Sequence, residues 1–305
     1  MKIPFEQTIA SAYRFAFSNV LSVIGIGWFP FSLVGALGAG LFFLLAPAIH
    51  GLWLQDGKTV DTARLVTLIA PLVGAGVVLF AALIVAQAMV TVGLMRKALG
   101  QHPGPVFIFF SLGGQVWRLI GANILAMLLL FGGVILAGLA IAAAGFGLNK
   151  FAPNVMPLVT GLAVFVGLLV YFYSALRLSF FIPAVVVAEN HIGLRRSWHL
   201  GRGNFWRIVG ILLIVSLPVQ MAASTITSTI MQVAMMPSLA FPQAPGADPQ
   251  KVFADLLELW RRIGPYVVVV QILYFALLSG LTSGAIAAAY LAVTGDASAG
   301  TKETA

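Results

Sequence analysis

Between residues 20 and 294 apolar runs follow one another, with no polar block large enough to fold separately. A helical run of 18 residues or more matches the ~30 Å hydrocarbon core of a bilayer. A helix also satisfies its own backbone groups where no water reaches them. The pattern predicts an all-α polytopic membrane protein. Six transmembrane helices fit the runs, at about residues 20–48, 65–95, 118–148, 157–180, 205–236 and 265–293, in a single transmembrane domain over 1–295. Composition agrees: 60% of residues are hydrophobic, 9% are charged and mean hydropathy is +1.02, against about 25% charged in a soluble domain. Residues 296–305 read as a disordered tail.

Ala46, Pro47 and Ala48 form a cleavage-like pattern, but the apolar run before them is about twice a signal-peptide core of 7–15 residues and starts late. It is read as a retained first span. Pro30 should kink it. The absence of cysteine excludes disulfides, thiolate metal sites and cysteine nucleophiles.

Amphipathic segments flank the spans. Over residues 5–17, Phe5, Ile9, Ala12 and Ala16 share one helical face, with Gln7, Ser11 and Arg14 opposite, which predicts an interfacial helix. Ser18 and Asn19 can cap the helix that follows. Asp56 and Gly57 mark a turn after the first span. After the break His102–Pro105, the run VFIFFSLGGQ gives a second interfacial segment. Asp248 and Pro249 open a further helix, with Val252, Leu256, Leu259 and Ile263 opposite Asp255, Glu258, Arg261 and Arg262; it is expected to lie on the surface.

The stretch from Pro183 to Gly210 combines these features. Placed on a helix, Leu194, Trp198, Gly201 and Phe205 form one stripe and Arg195, Arg196, His199 and Arg202 the other. Such a basic amphipathic segment should lie among headgroups before the chain enters the bilayer. Counting Lys and Arg in alternate connections gives eleven on the side that includes Lys2, Arg14, Arg96, Arg195 and Lys302, and six on the other. The positive-inside rule therefore predicts that both termini are cytoplasmic.

A threefold signature recurs at the odd-numbered spans. Tyr13, Phe109 and Trp198 each stand six residues before Asn19, Gln115 and Asn204, and these stand six before Gly25, Gly121 and Gly210. QVWRLIG and NFWRIVG match most closely. Three copies of one unit follow: interfacial helix, span, short outer loop, span. An aromatic followed by Arg is common where a chain enters a membrane, which accounts for one copy but not for fixed spacing in three.

Arg195, Arg196, Arg202, Arg207 and Arg177 are the candidate lipid-headgroup residues, since a basic residue near an anionic surface contributes about 1 kcal/mol. For Arg177, deep in LRLSFFIPAVVVA, the structural expectation is a side chain snorkelling from the end of its span. Gln220, Ser224 and Thr227, with Met231, share one face of span five; they line a polar pathway or pack against another helix. Gly280, Gly284, Ala288 and Ala292 form a ridge that should receive a helix. The histidines, His50, His102, His191 and His199, have no metal-ligand spacing, so no metal or other cofactor is expected. No acidic residue or lysine is clearly embedded in a span, which weakens an ion-coupled transporter reading. No catalytic dyad can be assembled, so an enzyme is not expected. Nucleic acid is not an expected partner either, because the charge follows a membrane boundary.

Glu189, Arg196, Ser197, Leu200, Gly203 and Trp206 form an acidic residue, a gap and an R-S-x-x-L-x-x-G-x-x-W series. In these residues, and in span layout over most of its length, the chain resembles bacterial multi-span proteins of the glycerophosphoryl diester phosphodiesterase membrane-domain type and related uncharacterised families. In some relatives this part is fused to a soluble phosphodiesterase barrel. Within 305 residues there is no room for one, so hydrolysis is not implied. The resemblance implies a bacterial inner-membrane module. Its expected partners are membrane lipids, anionic phospholipid in particular, or an unknown protein; transport of an amphiphile is the alternative.

Overall fold

A computed structural model describes residues 2–53, 62–102, 107–151, 154–235 and 249–295. The turn at Asp56 and Gly57, the break at Pro103–Pro105, the cap Asp248 and the tail 296–305 lie outside the described residues. So do the side chains of His50, Val252, Asp255 and Leu256. The described residues form helices and connecting turns, with no strand among them. The chain is an all-α multi-pass membrane protein: six helices are long and apolar enough to cross a bilayer.

Those six are α2 (Val20–Trp53), α3 (Thr62–Ala98), α4 (Gly114–Phe151), α5 (Met156–Ser179), α8 (Phe205–Met235) and α9 (Pro249–Thr294). Most outrun the expected boundaries, because nothing in an apolar helix stops it at the edge of the hydrocarbon. Pro30 lies within the unbroken helix α2. The segment expected to lie on the surface before span six is instead the first part of α9, a continuous 46-residue helix with Pro265 inside it. Proline lacks an N–H and interrupts only one intrahelical bond, which the rest of so long a helix can absorb.

Helices α2 and α3, α4 and α5, and α8 and α9 pair as three hairpins. Further contacts of α3 with α4, α5 with α8, and α9 with α2 close them into a ring. At one end, called here the basic end, lie three short helices: α1 (Phe5–Ser18), α6 (Ile182–Glu189) and α7 (Leu194–Leu200).

In α1 the buried residues are Thr8, Ala12 and Ala16, while Gln7, Ser11 and Arg14 are exposed, as the periodicity predicts. The glycine ridge of α9 receives it: a Cβ at Gly284 would stand 3.1 Å from Ala12 Cα, and one at Gly280 would stand 2.8 Å from a Val23 methyl. Asn19 both closes α1 and opens α2: its side-chain amide donates to Phe15 O at 3.1 Å, and its carbonyl accepts the Val23 N–H at 2.8 Å. The Tyr13 hydroxyl donates to Ile214 O at 3.0 Å. That carbonyl is the one that Pro218, four residues on and lacking an N–H, leaves without its helical partner.

The stretch Pro183–Gly210, expected as a basic amphipathic segment leading into span five, falls into three elements. Helix α6 ends at Asn190 in the left-handed region (φ 56°), and Gly203 (φ 75°) separates α7 from α8. Apolar on every side, α6 buries Ile182, Ala184, Val185, Val186 and Val187 and touches one helix of each hairpin, α3, α4 and α9. The second interfacial segment is not a helix over residues 107–113. Phe109 is buried there over Gly93, where a Cβ would come within 2.9 Å of its ring.

Candidate functional site at the basic end

Arg177 stands two residues before the end of α5 and is only 8% exposed. Its Nε donates to Trp198 O at 3.1 Å and its Nη1 to the Tyr173 hydroxyl at 2.8 Å. The guanidinium carbon lies 4.1 Å from the Trp198 ring centroid and 5.7 Å from that of Tyr173. The expected snorkelling arginine is therefore an internal one. The reason lies twenty residues downstream, where α7 folds back over it and supplies a carbonyl and a π face. Gly201 permits the approach, since a Cβ there would come within 2.8 Å of Arg177 Cγ.

Other cations are also committed to the fold. Arg196 Nε donates to Glu189 Oε1 at 3.1 Å, and the same oxygen accepts from the Tyr290 hydroxyl at 2.9 Å. Arg207 Nη1 donates to Ile3 O, and Asn204 Oδ1 accepts the Ile3 N–H at 3.0 Å. Arg96 Nε donates to Gln115 Oε1 at 2.7 Å, while Gln115 Nε2 donates to Val187 O at 3.2 Å. Arg118 Nη1 donates to Asn190 Oδ1.

These contacts give the threefold signature a physical content. The start of α8 holds the lead-in to α1: Asn204 and Arg207 on Ile3, and Gly210 against Phe5. The start of α4 holds the lead-in to α7: Gln115 on Val187, Arg118 on Asn190, and Gly121 against Ile192. The start of α2 holds the lead-in to α4: Trp28 Nε1 donates to Phe107 O at 2.8 Å, and Phe29 meets Phe110 edge to face. The second and third copies thus grip through matched positions, whereas in the first Asn19 bonds back to Phe15 O and the contact falls to Trp28 and Phe29.

Of the five candidate headgroup residues, Arg177, Arg196 and Arg207 thus bind protein groups. The side chains of Arg195 and Arg202 are exposed and make no hydrogen bond or ion pair among the described residues. His199 is exposed between them in sequence, and Trp206, on the first turn of α8, is 80% exposed. The acidic-to-tryptophan series resolves into separate tasks. Glu189 and Arg196 pair; Ser197 donates to Leu178 O at 2.6 Å; Leu200 is buried; Gly203 takes the positive φ; Trp206 faces outward. Tyr290 and Asn190 escaped sequence reasoning, because their partners are set by the packing of α9 and α4 on α6.

On α8, Gln220 and Ser224 are exposed and Thr227 is half-buried. Ser224 bonds back to Met221 O, and Gln220 has no hydrogen-bond partner among the described residues. A cavity of 230 Å³ lies elsewhere, between α4 and α5, lined by apolar residues and Thr160. Among the described residues no group of three or more His, Asp or Glu could hold a metal ion.

No protein-family model, curated protein or solved structure matches the chain.

Proposed function

We propose that this chain is a lipid-binding module of a bacterial inner membrane, holding anionic phospholipid headgroups at a cytoplasmic basic end through Arg195 and Arg202. The observation that carries this reading is the division of labour among the arginines. Three bond to protein groups, and the two whose side chains have no partner among the described residues flank His199 in sequence, shortly before an outward-facing tryptophan, a residue type that favours the headgroup layer. The excess of Lys and Arg on this side supports a cytoplasmic location for it and for both termini. Six helices long and apolar enough to cross a bilayer support the reading of a membrane module.

Native mass spectrometry of the purified protein with bound phosphatidylglycerol or cardiolipin tests it. Two cations near an anionic surface contribute about 2 kcal/mol, so Arg195→Ala/Arg202→Ala should lower retention about thirty-fold. Phosphatidylethanolamine retention should not change. Equal retention of anionic lipid by the wild type and the double variant overturns the proposal.

A further inference from the structure

Leu213, Leu217, Gln220, Ser224, Thr227 and Met231 of α8 follow one another at intervals of four, three, four, three and four residues. That is a heptad seam, the pattern by which one helix packs along another. In this fold much of the seam is uncovered: Leu213 and Leu217 are 48% and 45% exposed, and Gln220 and Ser224 are exposed.

A polar side chain in the seam makes that exposure costly. Gln220 stands fifteen residues after the start of the span and twelve before its end at Gln232, about 22 Å and 18 Å along the helix. It lies too deep for its amide to reach either headgroup layer, and hydrocarbon offers it no hydrogen bond. The hydroxyls nearby do not serve it: Ser224 and Ser228 bond back to Met221 O and Thr225 O of their own helix. Two turns on from Gln220, Thr227 Oγ1 is buried without a hydrogen-bond partner among the described residues.

We infer that α8 pairs with α8 of a second copy of this chain, with Gln220 meeting Gln220 across a twofold axis normal to the membrane. Two copies inserted in the same sense present parallel α8 helices, the geometry a heptad seam requires. An amide is self-complementary, with a donor in Nε2 and an acceptor in Oε1, so each Gln220 satisfies the other. Ser224 is small enough for the backbones to approach, and a lone polar residue in an apolar seam fixes the register. This inference does not rest on the lipid-headgroup reading, whose residues lie on the basic end.

The chain contains no cysteine, so single-cysteine variants of the full protein in bilayers report one position each. Oxidation of Ser224→Cys should give a disulfide-linked dimer. Ile226→Cys, exposed on the other side of α8, should give about five-fold less. Adding Gln220→Leu to Ser224→Cys should lower the yield about three-fold or more, and adding Gln220→Asn should retain most of it. Equal yields at 224 and 226, or no dimer at 224, overturn the inference. So does rapid labelling of Gln220→Cys by a membrane-impermeant maleimide, which would place Gln220 in a water-filled path of a single copy.

Discussion

At the basic end, the eight-residue helix α6 buries five of its residues. At the far end of α5, the equally apolar stretch from Pro157 to Phe172 buries none. Hydrophobicity does not separate the two. In water it would, since burying a Val or Leu contributes about 1.5–3 kcal/mol there. Inside a bilayer, acyl chains solvate an apolar side chain about as well as protein does, so helices gather where polar groups or close backbone approach require it. The basic end has both requirements: Arg177, Gln115, Asn204 and Glu189 need partners, and Gly280 and Gly284 admit α2 and α1 against α9. The far stretch of α5 has little of either: a Cβ at Gly161 or Gly167 would meet nothing within 4 Å, and Val159, Thr160 and Ala163 leave a cavity against α4.

Three substitutions break or sharpen that contrast. The largest effect should come from Gly284→Leu, which drives a branched side chain into Ala12 and Phe15; overpacking of this kind costs about 3 kcal/mol. Loss of folded protein in a fluorescence-detected size-exclusion assay would register it, and wild-type yield would contradict the tight α1–α9 approach. A smaller change is expected of Tyr13→Phe, which removes the donor to Ile214 O; intramembrane hydrogen bonds average about 0.6 kcal/mol, with a maximum of about 1.7. Its shift in an unfolding titration with a denaturing detergent should vanish when Pro218→Ala restores the helical partner. At the far end, Leu136→Ala removes a 69% exposed side chain and should change stability by less than about 0.5 kcal/mol in the same titration. A cost as large as that of Gly284→Leu would show that this end is packed after all.

The six spans were legible because each is a long uncharged run, and the ridge on α9 because small residues recur every four positions. The Trp-Arg repeat was also legible, with Gln115 and Asn204 at matched positions because they do matched work. What failed was local. Pro183–Val187 is too short for a span and apolar on every side, so no periodicity marked α6 as a buried helix. Arg177 read as a snorkelling residue because its cover, Trp198, lies on another element. Three of the five headgroup candidates bind protein groups for a similar reason: a sequence shows that Arg196 and Arg207 are basic, but not that Glu189 and the Ile3 carbonyl are within their reach. Residues 107–113 share the repeat spacing without the helix, and Phe109 fills the space over Gly93 together with Ile26.

The grip of Asn204 and Arg207 on Ile3 joins residues about 200 positions apart in the chain. At about 5–20 residues per second, the ribosome finishes Asn204 some 10–40 s after Ile3. For that interval the lead-in to α1 has no third copy to rest in, and the ring stands open with two hairpins inserted. Biogenesis therefore passes through an obligatory waiting state, in which the amino-terminal segment must be kept at the membrane surface until the last hairpin arrives to seat it.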